Sequence, residues 1–338
     1  MPVVTLVAMG ALQMKPRVLY ICGWGRSGTT IVDRVLGEAP GFVSVGELRS
    51  LWDADPTVQR CGCGRTVAEC RVWGPVLGAM SAASGYTVGS VKALRDEAAR
   101  SRHLLGLWRS ARNPTRQALP AAASYGDVLT ATYAAVRALT GAAIVVDSSK
   151  HPAEAMLLAA RPDIDLTVLH VVRDPRGSAF SWSRRSRETA GEGWREGLAP
   201  RALASSSAWW TTWNFVAESM LKPLLGSRYL FLRYEDVMTS PRDQLGGVVQ
   251  RLGISAGDLP FVSEHEVVLG PSHTVAGNPN RMGSGMVKLE LDSEWRGALR
   301  GFALAKATVP ALPMLHHFGY PLRGGTELSA RRHQRFRP

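Results

Sequence analysis

The residues best suited to chemistry lie close to the N-terminus. Gly23-Trp-Gly-Arg-Ser-Gly-Thr-Thr30 sets glycines at 23, 25 and 28 between an apolar run, 18–22, and apolar residues at helical spacing, Ile31, Val32, Val35 and Leu36. Strand, Gly-rich turn and helix in that order make a phosphate-binding loop. The glycines let the backbone approach an anion, and the amides at the helix N-terminus point at it. Gly23 and Gly28 have the spacing of G-x-x-x-x-G-K-[ST], but Thr29 stands at the lysine position. That lysine normally reaches the β- and γ-phosphates, so its loss argues against a kinase or a nucleoside-triphosphate hydrolase. Arg26 offers instead a planar cation suited to a sulfate or phosphate group.

Glu47, Asp147, Lys150 and Arg173 stand, like Arg26, at or just past the ends of apolar runs. Those runs read as strands over 18–22, 41–48 (ending at Glu47), 142–147, 165–172 and 229–236. Helices are expected after the loop, from Ala153, after Arg173-Asp-Pro-Arg-Gly-Ser178 and after Ser240-Pro241. Strands alternating with helices predict an α/β chain of P-loop type. Its three layers are a central parallel sheet flanked by helices, with right-handed crossovers. Ligands of open parallel sheets bind outside the carboxyl ends of the strands, so the charged strand ends share one crevice. Two more helices, around 91–108 and 127–139, are separated by Asn113-Pro114 and Leu119-Pro120. They make a helical insertion, about 50–140, and the expected acceptor-binding element. No repeat or low-complexity linker divides the chain, so residues 1–325 are expected to form one domain and 326–338 a basic, disordered tail.

The chain has 338 residues, 45% hydrophobic and 20% charged, the composition of an ordinary soluble protein. Its net charge of +12 favours an anionic ligand or partner. No basic-aromatic module or DNA-binding motif accompanies that charge, so no specific nucleic acid is expected. The basic tail leaves peripheral membrane contact open. No run of 18 apolar residues is present. Residues 3–12 are apolar but lack a basic flank and run almost into the first strand, so the reading is a cytoplasmic protein, with Met14 an alternative start. Cys61-Gly-Cys-Gly-Arg-Thr-Val-Ala-Glu-Cys70 reads first as a structural loop of free or bridged thiols. It would hold zinc if a fourth ligand came from elsewhere.

Gly25-Arg-Ser-Gly-Thr-Thr30 resembles the 5′-phosphosulfate loop of sulfotransferases that use 3′-phosphoadenosine 5′-phosphosulfate (PAPS). The resemblance implies donor contacts from Gly25, Arg26, Ser27, Gly28, Thr29 and Thr30. Val171-Val-Arg-Asp-Pro-Arg-Gly-Ser-Ala-Phe-Ser181 resembles the family's 3′-phosphate site, which gives that role to Arg173 and Ser181. Asp147-Ser-Ser-Lys150 resembles the segment whose lysine contacts the transferring sulfuryl group. Glu47 stands where tyrosylprotein and carbohydrate sulfotransferases place a catalytic glutamate, nearer to that type than to the cytosolic small-molecule type. His151 is the rival base and Asp147 a weaker one, while His170 reads as core. His273-Thr-Val-Ala-Gly-Asn-Pro-Asn-Arg281 with Trp295-Arg296 resembles a closing segment in which Asn278 and Arg281 reach a phosphate. This segment shows no strand or helix periodicity and fits a lid that orders on binding. Arg176, Arg184 and Arg185 read as a solvated basic face, and the acids of Tyr234-Glu-Asp236 as structural. The cysteine-rich loop resembles one common among bacterial members.

These readings imply a PAPS-dependent sulfotransferase whose catalytic residues are Glu47, Lys150 and Arg26. PAPS is the co-substrate, no metal is expected in the reaction, and the acceptor is a hydroxyl on a small molecule, glycan, lipid or phenol. The competing readings are a nucleotide kinase with a degenerate loop and a non-catalytic nucleotide- or RNA-binding protein.

Overall fold

The computed structural model describes residues 15–113, 119–184, 200–255, 259–277 and 279–322. The apolar run 3–12, Met14, Arg185, Asn278 and the basic tail lie outside the described residues. Five parallel strands form the central sheet: β1 (Arg17–Cys22), β2 (Phe42–Gly46), β3 (Ile144–Lys150), β4 (Asp165–Val172) and β5 (Tyr229–Arg233). Their spatial order is β2-β3-β1-β4-β5. A two-stranded antiparallel hairpin follows, β6 (Glu266–Leu269) with β7 (Gly285–Lys288).

The long helices are α1 (Thr29–Gly37), α2 (Trp73–Ser84), α3 (Val88–Ala98), α4 (Leu104–Arg112), α5 (Pro120–Thr140), α6 (Pro152–Ala159), α7 (Pro175–Ser183), α8 (Leu203–Val216), α9 (Tyr234–Thr239), α10 (Pro241–Arg251) and α11 (Gly301–Thr308). β1 shows why its run is apolar without alternation. Val18, Tyr20 and Cys22 face the core made with α2, α3, α5 and α6, while Leu19 and Ile21 face the core made with α1, α9 and α10. A strand covered on both sides needs apolar side chains at every position.

The structure moves several expected boundaries. β3 runs on through Ser148 and Ser149, both buried, to Lys150, where a turn was expected. β5 stops at Arg233 because Tyr234 opens α9. The helix expected over 91–108 is two, α3 and α4, divided by a short 3₁₀ turn at Ser101–His103. Leu119-Pro120 stands between α4 and α5 as expected, but α5 starts there rather than at 127. Pro120 sits in the first turn of α5, where its missing N–H has no partner to lose. α2 and the β6–β7 hairpin were not anticipated.

Candidate active site

The sheet order sets the charged strand ends side by side. Reading β2-β3-β1-β4, they are Glu47, Lys150, Arg26 and Arg173. Adjacent strands are about 4.8 Å apart, so the row spans roughly 14 Å, a nucleotide's scale.

At β1 the loop turns tightly against its surroundings. Gly23 has φ +154°, and a Cβ there would lie 2.3 Å from the Val171 carbonyl oxygen. Gly28, at φ +81°, caps α1, and a Cβ would lie 2.4 Å from the Tyr234 ring. Arg26 takes φ +67° without being glycine. Its carbonyl accepts from Arg173 Nη1 (3.2 Å), and its guanidinium lies over the Trp182 ring. Burial pushes the Arg26 guanidinium down, and Glu47 opposes that shift. Arg26 Nε, Ser27 Oγ and, in the first turn of α7, Ser178 Oγ are buried with no hydrogen-bond partner among the described residues. Unpaired buried donors are costly, so the two within the Gly-rich loop, Arg26 Nε and Ser27 Oγ, fit an anion that would pair with them. Thr29 is buried and Thr30 half-buried on the first turn of α1.

Lys150 Nζ donates to Glu47 Oε1. Lys150 is the second non-glycine residue here at positive φ, +71°. Its carbonyl accepts from Gly23 N (3.3 Å), which ties β3 to the loop, and from Trp213 Nε1 (3.1 Å). Glu47 is held from the other side. Its amide donates to Val275 O (2.9 Å), and Gly277 lies so close that a Cβ would stand 2.6 Å from Glu47 Oε1. Behind Glu47, Arg49 reaches Glu154 Oε2 (2.8 Å) and its amide donates to Ser149 Oγ (2.9 Å).

Arg173 is buried in the β4–α7 turn, over the Tyr234 ring. Its Nη2 donates to Asp292 Oδ2 (2.9 Å), so a carboxylate occupies the guanidinium expected to meet a phosphate. Glu235 Oε1 accepts from Asp174 N (2.9 Å) and Oε2 from Tyr320 OH (2.8 Å), the structural role expected of that acid. Ser181 is half-buried on α7, beside Trp182, whose Nε1 donates to Gly25 O (3.0 Å).

Unpaired buried donors and a carboxylate–ammonium pair thus stand at neighbouring strand ends, an arrangement chemically suited to an anion beside a hydroxyl. Residues 17–258 match the sulfotransferase family. The chain belongs to that family. The sulfotransferase resembles a sulfotransferase domain from the Synechococcus PCC 7002 olefin synthase at 18% identity and a TM-score of 0.51, over 92% of this chain and 98% of that one. That likeness shows the fold. A sulfotransferase domain from the curacin biosynthetic pathway (15% identity, 92% and 100% covered, TM-score 0.49) and a sulfotransferase from Alicyclobacillus acidocaldarius (16%, 89% and 96%, 0.41) also match. Comparison with curated proteins gave no significant match.

Several expectations change in the sulfotransferase. Arg176 is not part of a solvated face. It is fully buried, and Asp174 accepts from its Nε (2.8 Å) and Nη2 (2.6 Å), while Arg184 is exposed and paired with Glu294. His151 packs edge-on to Trp213, and burial lowers its pKa to about 3, leaving a weak proton acceptor. Asp147 is buried, with both carboxylate oxygens engaged by Tyr133 OH and Ser149. His170 is core, as expected, between Asn214 and Tyr229. Arg281 is buried and donates to Thr274 O (2.7 Å) and Arg60 O (2.9 Å), so these donors brace a loop. Residues 273–277 are not a free lid, because Val275 pairs with β2 through Val45 O (2.9 Å) and Glu47 N. Trp295 is buried against Gly177 and under Arg176.

The sulfotransferase's α8 was missed altogether. Trp210 Nε1 donates to Arg173 O (2.9 Å), Trp213 Nε1 to Lys150 O, and Ser206 Oγ accepts from Trp24 Nε1 (3.3 Å). One helix therefore pins three of the strand-end turns. The available signal was three tryptophans, at 209, 210 and 213, within five residues.

Proposed function

We propose that this enzyme transfers the sulfuryl group of PAPS to a hydroxyl acceptor, with the donor lying across the ends of β3, β1 and β4. The observation that supports it most is the Glu47–Lys150 pair beside the unpaired donors of Arg26 and Ser27. The acceptor oxygen attacks sulfur in line while the bond from sulfur to the 5′-phosphate oxygen breaks. Glu47 takes the hydroxyl proton, as in carboxylate-base sulfotransferases of the tyrosylprotein type. Adenosine 3′,5′-bisphosphate leaves with the bonding electron pair. Arg26 and the loop amides hold the phosphosulfate in the ground state, and Lys150 turns from Glu47 to the sulfuryl oxygens as charge develops. Positioning and electrostatics then supply most of the acceleration. Arg173 and Ser181 take the 3′-phosphate, which displaces Asp292 from Arg173. A glycan, lipid, phenol or other small-molecule hydroxyl fits as acceptor.

The donor assignment is tested by thermal shift and titration. Adenosine 3′,5′-bisphosphate should raise the melting temperature well above the shift given by ATP at equal concentration. Arg173→Ala should weaken the bisphosphate by roughly tenfold to a hundredfold, the loss of one charge-assisted pair of about 1.5–3 kcal/mol. Equal shifts from ATP and the bisphosphate would refute the 3′-phosphate site.

A further inference from the structure

We propose that Cys61, Cys63, Cys70 and His273 bind one zinc ion. The loop that follows β2 supplies the three thiols, and His273 comes from the segment after β6, two hundred residues later in the chain. All four donor atoms lie within 4.8 Å of one another. Cys63 Sγ is 3.8 Å from Cys70 Sγ, and His273 Nδ1 is 3.7 Å from Cys61 Sγ and 3.2 Å from Cys70 Sγ. A tetrahedral zinc with bonds of about 2.3 Å to sulfur has edges of about 3.8 Å between ligands. The spacing therefore fits one ion, whereas a two-iron cluster divides its ligands between separate metal centres. The three thiols are free, and His273 Nδ1 faces the sulfurs of Cys61 and Cys70. Three soft thiolates with one imidazole select zinc over hard cations.

The surroundings are built for such a site. Val72 N donates to Cys70 Sγ (3.4 Å), as amides do around metal-bound thiolates. Trp73 Nε1 donates to His273 O (2.6 Å) and fixes the histidine's backbone. Gly62 lets the two strips meet. Its amide donates to Thr274 O (2.9 Å), and a Cβ would lie 2.5 Å from Ser272 Oγ. Arg281 donates to Arg60 O beside Cys61, which places a cation near a cluster that would carry net negative charge.

Four protein ligands leave no open position, so the ion is structural. Its place shows what it holds. His273 lies two residues before Val275, whose carbonyl accepts from Glu47 N and whose amide donates to Val45 O. Zinc would thus staple the cysteine loop to the strip that fixes Glu47. The expectation of a reaction without metal is left as it stood, since no step passes through this ion.

Metal analysis of the full chain, purified in reductant and without chelator, tests the site independently of donor or acceptor. About one zinc per chain is expected, falling to near zero in Cys70→Ser. Because that variant also risks misfolding, two further measurements stand beside it. His273→Cys keeps four ligands and should retain the ion. Cobalt added to the demetallated wild type should give thiolate charge-transfer absorption and the intense visible bands of a tetrahedral site. Wild-type protein that stays below roughly a tenth of an equivalent after dialysis against zinc would overturn the proposal. So would stoichiometric iron in place of zinc, or a Cys63–Cys70 disulfide in metal-free active protein.

Discussion

Glu47 is fixed at both ends, its amide on Val275 and its carboxylate between Gly277 and Lys150. Glu47→Gln keeps the shape and removes the proton acceptor. Single-turnover transfer should fall by about two to four orders of magnitude, while affinity for adenosine 3′,5′-bisphosphate stays unchanged. His151→Ala should transfer at a rate within about tenfold of the wild type, because a buried imidazole with a pKa of about 3 takes up protons poorly at neutral pH. The opposite pattern, a large loss in His151→Ala with Glu47→Gln active, would move the base to the histidine. Residues such as Arg26, Glu47, Lys150 and Arg173 were legible in the sequence because a charge at or just past the end of an apolar run emerges near the sheet's carboxyl edge. Arg176 was not. Its partner Asp174 is two residues away and reads as a helix cap, which it also is, and nothing in a string of arginines tells which one is buried.

At the scale of elements, α1 and β2 are joined by a buried acid. Ser44 Oγ on β2 donates to Asp33 on α1 (2.8 Å), and burial, the larger influence, raises the Asp33 pKa to about 7. The unfolded chain loses this proton near pH 4 and the folded chain near 7, so the folded state holds more protons between those values. Asp33 therefore makes stability decline as pH rises from about 4 to about 7, with no further change above. His151 and His170, with pKa values lowered to about 3 and about 4, act in the opposite sense in acid. The informative quantity is the difference between variants. Asp33→Asn should remove the declining component, so its urea midpoint relative to wild type should improve between pH 5 and pH 7.5. An unchanged difference would mean that Asp33 is ionised throughout. The five sheet strands were readable because a doubly covered strand is a plain apolar run. The hairpin was not, since β7 is mostly exposed and its one inward pair is too short to show a period. α2 was hidden for another reason: its residues are apolar or small all round, without a charge, which leaves no polar face to set a phase.

For the whole molecule, the family match ends at residue 258 but the packing does not. Beyond it, Val275 enters the core with β1 and α5. Leu269 and Leu289 join the core with α1, and Met314, Leu315, Phe318 and Tyr320 pack around Trp210. A chain ending at 258 would expose faces from three cores and lose the strip that holds Glu47. It should show a broad melt and bind a hydrophobic dye, where the full chain melts cooperatively. A sharp transition in the shortened chain would show that the late segment is an addition to a self-sufficient sheet.

Arg26 and Lys150 share a trait unrelated to their charge. Both hold a left-handed backbone that glycine adopts freely, at φ +67° and +71°, and that costs other residues about 1–3 kcal/mol each. Two of the three described non-glycine residues with a left-handed backbone thus carry cations at the strand ends, the third being Ala276. A screen that rewarded heat tolerance alone would favour glycine at both, and would yield sturdier proteins with the cationic side chains gone. On the proposed mechanism, heat tolerance and turnover are opposed at these two positions, and any improvement of one should be sought elsewhere in the chain.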